Sequence, residues 1–117
     1  MTGTVKNLIE DKSNAFALEF VQVYKMLSTE KRKFILSKHL LRSGTSIGAN
    51  IRESLAGESK RDFIHKMHIS LKETRGTTYW LNLVNDSDFL PVASFESLRA
   101  KCEEIHRLLN SIIITTK

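Results

Sequence analysis

A helical pattern with two internal glycines runs through the middle of the chain, and it constrains the fold more than any other stretch. Steps of three and four residues place one apolar side on this helix: Leu40, Gly44, Ile47, Ile51 and Leu55. Each glycine inside a helix costs about 1 kcal/mol relative to alanine. Because packing has to offset that free-energy cost, we expect Gly44 and Gly48 to allow the close approach of a neighbouring helix.

The opposite side of the same helix carries unusually short side chains. At the same steps it presents Arg42, Ser46, Ala49, Glu53 and Ala56. Small residues between an arginine and a carboxylate favour a second packed surface, against which another helix lies. The alternative interpretation is a weakly polar face that stays open to solvent.

The end of this helix and the start of the next follow within a few residues. Gly57 suits the left-handed residue that follows a helix, and Ser59 with Asp62 forms a capping box for the next helix. At the other end of the glycine-containing helix, Ser28 or Thr29 is expected to cap its start by the same kind of hydrogen bond. The sequence therefore predicts a tight turn around Gly57.

Three further helical patterns complete the chain. We predict helices over residues 5–27, 30–56, 60–84 and 92–115. The predicted core stripes of the first, third and fourth helices are Val5, Ile9, Phe16, Phe20, Val23 and Leu27; Phe63, Ile64, Met67, Leu71, Thr74, Thr78 and Leu81; and Phe95, Leu98, Cys102, Ile105, Leu109 and Ile112. Four helices joined by short turns predict an all-α, single-domain, up-down antiparallel four-helix bundle.

Length and cysteine content limit the class of protein. A chain of 117 residues is one domain, with a core that needs no metal or disulfide. The single cysteine, Cys102, falls in an apolar pattern and is predicted to be a buried hydrophobic residue rather than a nucleophile. The first residues lack an apolar signal segment, and no window approaches the ~18 apolar residues of a spanning helix. We therefore expect a soluble, cytoplasmic protein without a membrane partner.

The basic charge is concentrated in the middle of the chain. The net charge is +5, and residues 29–75 hold eleven lysines or arginines against five carboxylates, a balance of +6. The remaining residues have a balance of −1. Such a distribution favours an anion-binding surface that two adjacent helices share.

Five residues that are cationic or can take a proton follow one line on the third helix, at steps of four and three. They are Arg61, His65, His68, Lys72 and Arg75, and the start of the second helix adds Lys31, Arg32, Lys33 and Lys38. A line of this kind can follow a phosphate backbone, with an affinity that falls as salt rises. The alternative is a solvated face whose cations pair with carboxylates of neighbouring helices.

A different line on the third helix, away from its predicted core side, predicts a subunit interface. It carries Ile69, Trp80 and Leu83. Burying an indole stabilises an interface more than burying a small side chain. Together with the small-residue side of the second helix, this line predicts self-association into a homo-oligomer.

The sequence contains no recognisable arrangement of catalytic or metal-binding residues. Asp62 with His65, and Glu103 with His106, have the spacing of di-metal ligands in helix bundles, but their helical phase turns them away from a common core. No glycine-rich phosphate loop and no serine or cysteine with a neighbouring base is present. We predict no catalytic residue, no metal and no cofactor. Because the aromatic residues are mostly in core phase, base stacking is not the expected mode of nucleic-acid binding.

The stretch from Arg42 to Phe63 also resembles a known family. It reads R-S-G-T-S-I-G-A-N-I-R-E, then Gly57, Ser59 and Asp62-Phe63, and it is similar to the signature of the 23S rRNA intervening-sequence proteins, formerly called ribosomal protein S23. Lys72-Glu73 and Tyr79-Trp80-Leu81 fit as well, so the resemblance covers nearly the whole chain. It extends, more distantly, to the accessory proteins of diversity-generating retroelements.

The resemblance implies a small antiparallel bundle that assembles into a ring-like homo-oligomer, a pentamer, with a basic surface that binds nucleic acid. The biochemical role of most members of the family is not established. This chain departs from the family at Arg75-Gly76-Thr77-Thr78, where stronger helix formers are usual.

Two functional hypotheses of different classes follow. In the first, the protein is a non-enzymatic oligomer that binds RNA or DNA through backbone charge. In the second, it is a scaffold whose basic face docks an acidic or nucleic-acid-associated protein. Both hypotheses use the same surface.

Overall fold

Four helices make up the fold. The structure, a computed structural model, describes residues 3–30, 33–56, 59–87 and 89–116. The helices are α1 (Gly3–Lys25), α2 (Phe34–Leu55), α3 (Lys60–Asp86) and α4 (Val92–Thr116), and Met26–Glu30 forms a π-helical turn after α1. No strand occurs in these ranges, which confirms the all-α prediction.

Each helix packs against two neighbours, and the neighbours run antiparallel. α1 and α3 both pack against α2 and α4, whereas in the diagonal pairs no Cα atoms of the described residues approach within 8 Å. The register follows from cross-helix pairs: His39 stacks on Trp80, and Ser43 meets Thr77. The result is an up-down bundle with extents of 44 × 21 × 20 Å.

The core is formed mainly by the predicted apolar stripes, but Leu55, Ile64, Leu71, Thr78 and Phe95 are only half-buried, and the burial of Val5 lies outside what the structure describes. The largest fully buried side chains are Phe16, Phe20, Ile9, Leu27, Leu40, Ile47, Ile51, Met67, Leu81, Leu98, Ile105 and Leu109. Full burial of a side chain of this size contributes about 1.5–3 kcal/mol relative to exposure. The hydrophobic effect on these stripes is therefore the main force that closes the bundle.

The two glycines of α2 let α1 approach closely, as the sequence predicts. A Cβ atom on Gly44 would lie 2.3 Å from Cδ2 of Phe20, which shows that the phenyl ring rests on the bare backbone. On Gly48, a Cβ atom would lie 3.5 Å from Oγ of Ser13. α1 and α2 therefore need a glycine at 44 more strictly than at 48.

The predicted start of the second helix is wrong by several residues. α2 begins at Phe34 rather than at residue 30, and the side chain of Lys33, which precedes it, makes no capping hydrogen bond. Ser28 instead donates its hydroxyl to the Tyr24 carbonyl at 2.6 Å, and Thr29 bonds in the same way to the Lys25 carbonyl. Both hydroxyls thus extend the end of the preceding helix, so they are not available as caps of α2.

The predicted start of the third helix is confirmed. The Ser59 hydroxyl accepts a hydrogen bond of 3.0 Å from the backbone N–H of Asp62. This bond satisfies one of the free N–H groups at the start of α3. The proposed helix end at Gly57 lies outside the described residues.

Candidate nucleic-acid interface

The predicted cationic residues of α3 all lie on its outward face. Their side chains are exposed, whereas the opposite side of the helix is buried against α2 and α4. We call these five residues the α3 cationic line: Arg61, His65, His68, Lys72 and Arg75. From first to last they span about 21 Å at 1.5 Å per residue.

No carboxylate of the described residues forms an ion pair with a member of the α3 cationic line. The ion pairs found there join Lys12 to Glu104, Lys66 to Glu53, Arg99 to Glu103 and Lys101 to Glu19. None of them involves a member of the line. Its positive potential is therefore available to an anion from solution.

The cations at the start of α2 stand apart from this line. Lys33 and Lys38 are exposed, and Nζ of Lys33 lies 4.5 Å from the centroid of the Phe89 ring. Because His39 is level with Trp80, Lys38 lies beyond the C-terminal end of the line, on the neighbouring helix. Lys31 and Arg32, the other two predicted cations, lie outside the described residues.

The two predicted interface lines meet on one face of the bundle, between α2 and α3. On α2, Arg42, Ala49, Glu53 and Ala56 are exposed and Ser46 is half-buried; on α3, Ile69, Trp80 and Leu83 are half-buried. Lys66 reaches Glu53 at 3.3 Å across one end of this face. His39 and Trp80 stack across the other end, with centroids 4.4 Å apart and planes at 7°. We call this surface the α2–α3 face.

The expectation that Trp80 lies well away from the core needs correction. Its ring packs on His39 of the same chain and against the edge of the hydrophobic core. α2 and α3 are close enough for the two rings to stack, and helical phase within α3 alone cannot show this. Trp80 is therefore an anchor within the subunit, whatever else it contacts.

Buried hydroxyl groups between α2 and α3 were missed by the sequence analysis. Ser43 and Thr77 share a buried hydrogen bond of 2.7 Å, and Ser70 donates to the Ile47 carbonyl at 3.0 Å. An available signal was the recurrence of Ser and Thr at helical spacing among the apolar positions of α3. Short side chains that satisfy their own polar atoms allow the two helices to pack closely.

A groove of about 400 Å³ runs between α3 and α4. Its walls are formed by Thr74, Arg75, Thr78, Cys102, Glu103, His106 and Arg107. Oγ1 of Thr74 lies 2.8 Å from Nδ1 of His106, so this imidazole is tied to α3. Arg75 thus belongs both to the cationic line and to a groove whose other wall carries Arg107, a cation that the sequence analysis did not select.

Cys102 lies at the bottom of this groove in the form expected of a packing residue. The side chain is buried, and its sulfur donates to the Thr74 carbonyl at 3.5 Å. Desolvation by burial raises the pKa of the thiol, although the Thr78 hydroxyl opposes this effect. The neutral thiol is a poor nucleophile at neutral pH.

Metal-ligating side chains do not cluster within the described residues. The structure contains, in the part of the chain that it describes, no group of three histidine, cysteine, aspartate or glutamate side chains placed to hold a metal. His65 lies with Ser59, Arg61 and Asp62 around a shallow depression of about 380 Å³ at the start of α3. No helix within the described ranges is long and apolar enough to cross a membrane.

Comparison with known proteins points to one family. Residues 6–111 match the family described as 23S rRNA-intervening sequence protein. A crystal structure from Bacteroides thetaiotaomicron VPI-5482, of a protein of unknown function from the S23 ribosomal protein family, matches with a TM-score of 0.90 and 46% sequence identity. The match covers 93% of this chain and 97% of that chain. No curated protein matches.

Proposed function

This chain belongs to the family of 23S rRNA-intervening sequence proteins, and from that premise we propose that it is a non-enzymatic, oligomeric protein that binds RNA through the α3 cationic line. The single observation that carries the proposal is the exposure of the whole line, without an ion pair to any carboxylate of the described residues. The family's name refers to the 23S rRNA. RNA is a polyanion, and a positively charged surface attracts it.

The binding energy comes from the phosphate backbone. Arg61, Lys72 and Arg75 are cationic side chains, and each phosphate that such a residue neutralises releases a counterion. The logarithm of the affinity then falls by about 0.7 to 0.9 for each contact and each tenfold rise in salt. Three contacts of this kind give a slope of about −2 to −3.

A reversal of charge on the line tests the proposal. Arg61, Lys72 and Arg75 are replaced together by glutamate, and binding of a 23S rRNA stem–loop is measured at several salt concentrations. We expect the variant to lose binding, because a negative line repels phosphate. The matched control replaces Lys25, Arg52 and Arg99, which are exposed on the other helices, and lowers the net charge equally. Equal loss in both variants would contradict a specific role for the line.

We propose that the α2–α3 face is the subunit contact of a ring-like homo-oligomer, with five subunits as the resemblance implies. On its α2 side the small residues Ser46, Ala49 and Ala56 lie between the charged Arg42 and Glu53, and Ile35 at its end is 75% exposed. A subunit packed there would cover Ile35, Ala49 and the open side of Trp80. Burial of these apolar groups is the driving force for assembly.

Two matched arginine substitutions test this contact. Ala49 and Ala100 are both exposed alanines within helices, but only Ala49 lies on the α2–α3 face. Ala49→Arg is expected to shift sedimentation toward single chains with unchanged circular dichroism, and Ala100→Arg is expected to leave the assembly intact. Trp80→Ala should act like Ala49→Arg, with an added loss of stability because His39 loses its stacking partner. A single-chain wild type would refute the contact.

An exposed aromatic side chain beside Lys33 favours a second candidate, a scaffold for an acidic protein. Phe34 is 53% exposed and is not part of the proposed subunit contact, and a phosphate backbone alone would leave it in water. Polyglutamate is the probe for this function. If polyglutamate binds at low salt and the 23S rRNA stem–loop does not, the scaffold replaces RNA binding as the function.

A further inference from the structure

Tyr79 extends the α3 cationic line by one more step. It follows Arg75 by four residues, the same interval that separates Arg61 from His65 and His68 from Lys72. The side chain is 61% exposed, so a large aromatic ring stands on the outward face of α3. Tyr79 is thus an exception among the aromatic residues, most of which were expected in core phase, and it lies on the charged side of its helix.

The Tyr79 ring is supported from within the protein. It makes an edge-on contact with Trp80, with ring centroids 5.2 Å apart and planes at 78°. Trp80 in turn stacks on His39. A ring that is braced on one side and exposed elsewhere loses little conformational entropy when a ligand stacks on it.

We infer that Tyr79 is a stacking platform for one unpaired nucleobase, held beside the phosphates that the cationic line contacts. The inference rests on the proposed RNA binding and narrows its ligand to RNA with a loop, bulge or free end. Bases within a duplex already stack on each other, whereas unpaired bases can turn out and stack on aromatic side chains. Arg75 is about 6 Å from Tyr79 along the helix axis, so one nucleotide can reach both side chains.

The neighbours of Tyr79 favour a nucleotide over a protein partner. The line that leads to it consists of Arg61, His65, His68, Lys72 and Arg75, none of which is apolar. On its other side the ring touches Trp80, which belongs to the α2–α3 face, so Tyr79 lies where the cationic line and the proposed subunit contact meet. A base with its phosphate matches the pairing of an exposed ring with adjacent positive charge.

Two RNAs of equal length and charge test the platform: a hairpin with 2-aminopurine in its loop and a blunt duplex without unpaired bases. Tyr79→Phe keeps the ring, and Tyr79→Leu keeps apolar bulk without it. We expect Tyr79→Leu to bind the hairpin about tenfold more weakly, the order expected of one stacked base. Tyr79→Phe should bind as the wild type does, and neither variant should change duplex affinity. The wild type should quench 2-aminopurine fluorescence, and Tyr79→Leu should not.

Each other result has a definite meaning. If Tyr79→Leu binds the hairpin as tightly as the wild type while charge reversal on the line still abolishes binding, the platform is wrong and RNA binding stands. If Tyr79→Leu lowers the assembled mass instead, the ring is a subunit contact and the inference falls. If the wild type binds neither RNA, both proposals fail together.

Discussion

The interfaces that α2 makes with its neighbours differ in kind from the interface between α1 and α4. α2 meets α1 and α3 through glycines and small hydroxyl residues, so backbones and rings come into direct contact: Phe20 rests on Gly44, and Ser43 bonds to Thr77. All four of these residues are buried.

The interface between α1 and α4 is held at its margin by charged and polar side chains. Lys12 pairs with Glu104 at 2.8 Å, and Glu19 accepts from Ser97 at 3.0 Å and from Lys101. A groove of about 390 Å³ runs along the same interface, beside Glu19 and Ser97. The candidate functional surfaces thus stand on α2 and α3, the most closely packed pair, which keeps the cationic line and Trp80 fixed in position.

The largest expected effect of a single methyl group is at Gly44. In Gly44→Ala the new Cβ atom would lie within 2.7 Å of three atoms of the buried Phe20 ring, so the ring and α1 have to move. We expect a loss of about 3 kcal/mol in the free energy of unfolding, the upper range for overpacking a core. Urea unfolding followed by circular dichroism measures it.

Gly76→Ala is the matched control for Gly44. A Cβ atom there would meet its nearest neighbour, Oγ of Ser43, at an ordinary 3.7 Å. The helix gains up to about 1 kcal/mol from the replacement, since alanine is the better helix former. Both variants are compared at one protein concentration because assembly changes apparent stability. If the two variants have equal free energies of unfolding, the close contact between residue 44 and Phe20 does not destabilise the protein.

The sequence predicted the helices and the apolar core, because both follow from spacing along one helix. The stripe from Ile9 to Leu27 and the cap at Ser59 are examples that the structure confirms. The start of α2 could not be predicted in the same way. The hydroxyls of Ser28 and Thr29 suit a cap and a backward bond to a carbonyl equally well, and tertiary packing decides between the two.

Features that involve two helices were the ones that the sequence did not reveal. Because Thr77 is polar, the spacing of apolar residues does not identify it as part of the core. It is nevertheless buried, because its hydroxyl is satisfied across the interface with α2. The exposure of the cationic line was predictable from spacing within α3. The place of Arg107 on the groove wall and the stacking of Trp80 on His39 were not, because each depends on how a second helix is positioned.

A smaller effect is expected at the buried hydroxyl pair between α2 and α3. Thr77 donates its hydroxyl to the Glu73 carbonyl at 2.8 Å, so Ser43 is the donor in the bond between the two side chains. Thr77→Val therefore leaves the buried Ser43 hydroxyl without its acceptor, at a cost of about 1–2 kcal/mol. Ser43→Ala leaves Thr77 bonded to Glu73 and should cost less.

The double variant shows how much of the cost of Thr77→Val comes from the unpaired Ser43 hydroxyl. If the Ser43 hydroxyl causes the loss, then Ser43→Ala combined with Thr77→Val should be less destabilised than the sum of the single variants. Thermal or urea unfolding of all four proteins gives the coupling energy. Strict additivity would show that the two hydroxyls act independently and that α2 and α3 are held by shape alone.

The smallest effect is expected between α1 and α4. The Lys12 and Glu104 side chains are one-third and nearly one-half exposed, so solvent screens their attraction. A cycle of Lys12→Ala, Glu104→Ala and the double variant should give a coupling energy of about 0.2–1 kcal/mol at low salt, and less at high salt. A salt-independent coupling as large as that of Ser43 with Thr77 would erase the contrast between the two interfaces. The groove beside Glu19 would then border a helix pair held as firmly as α2 and α3.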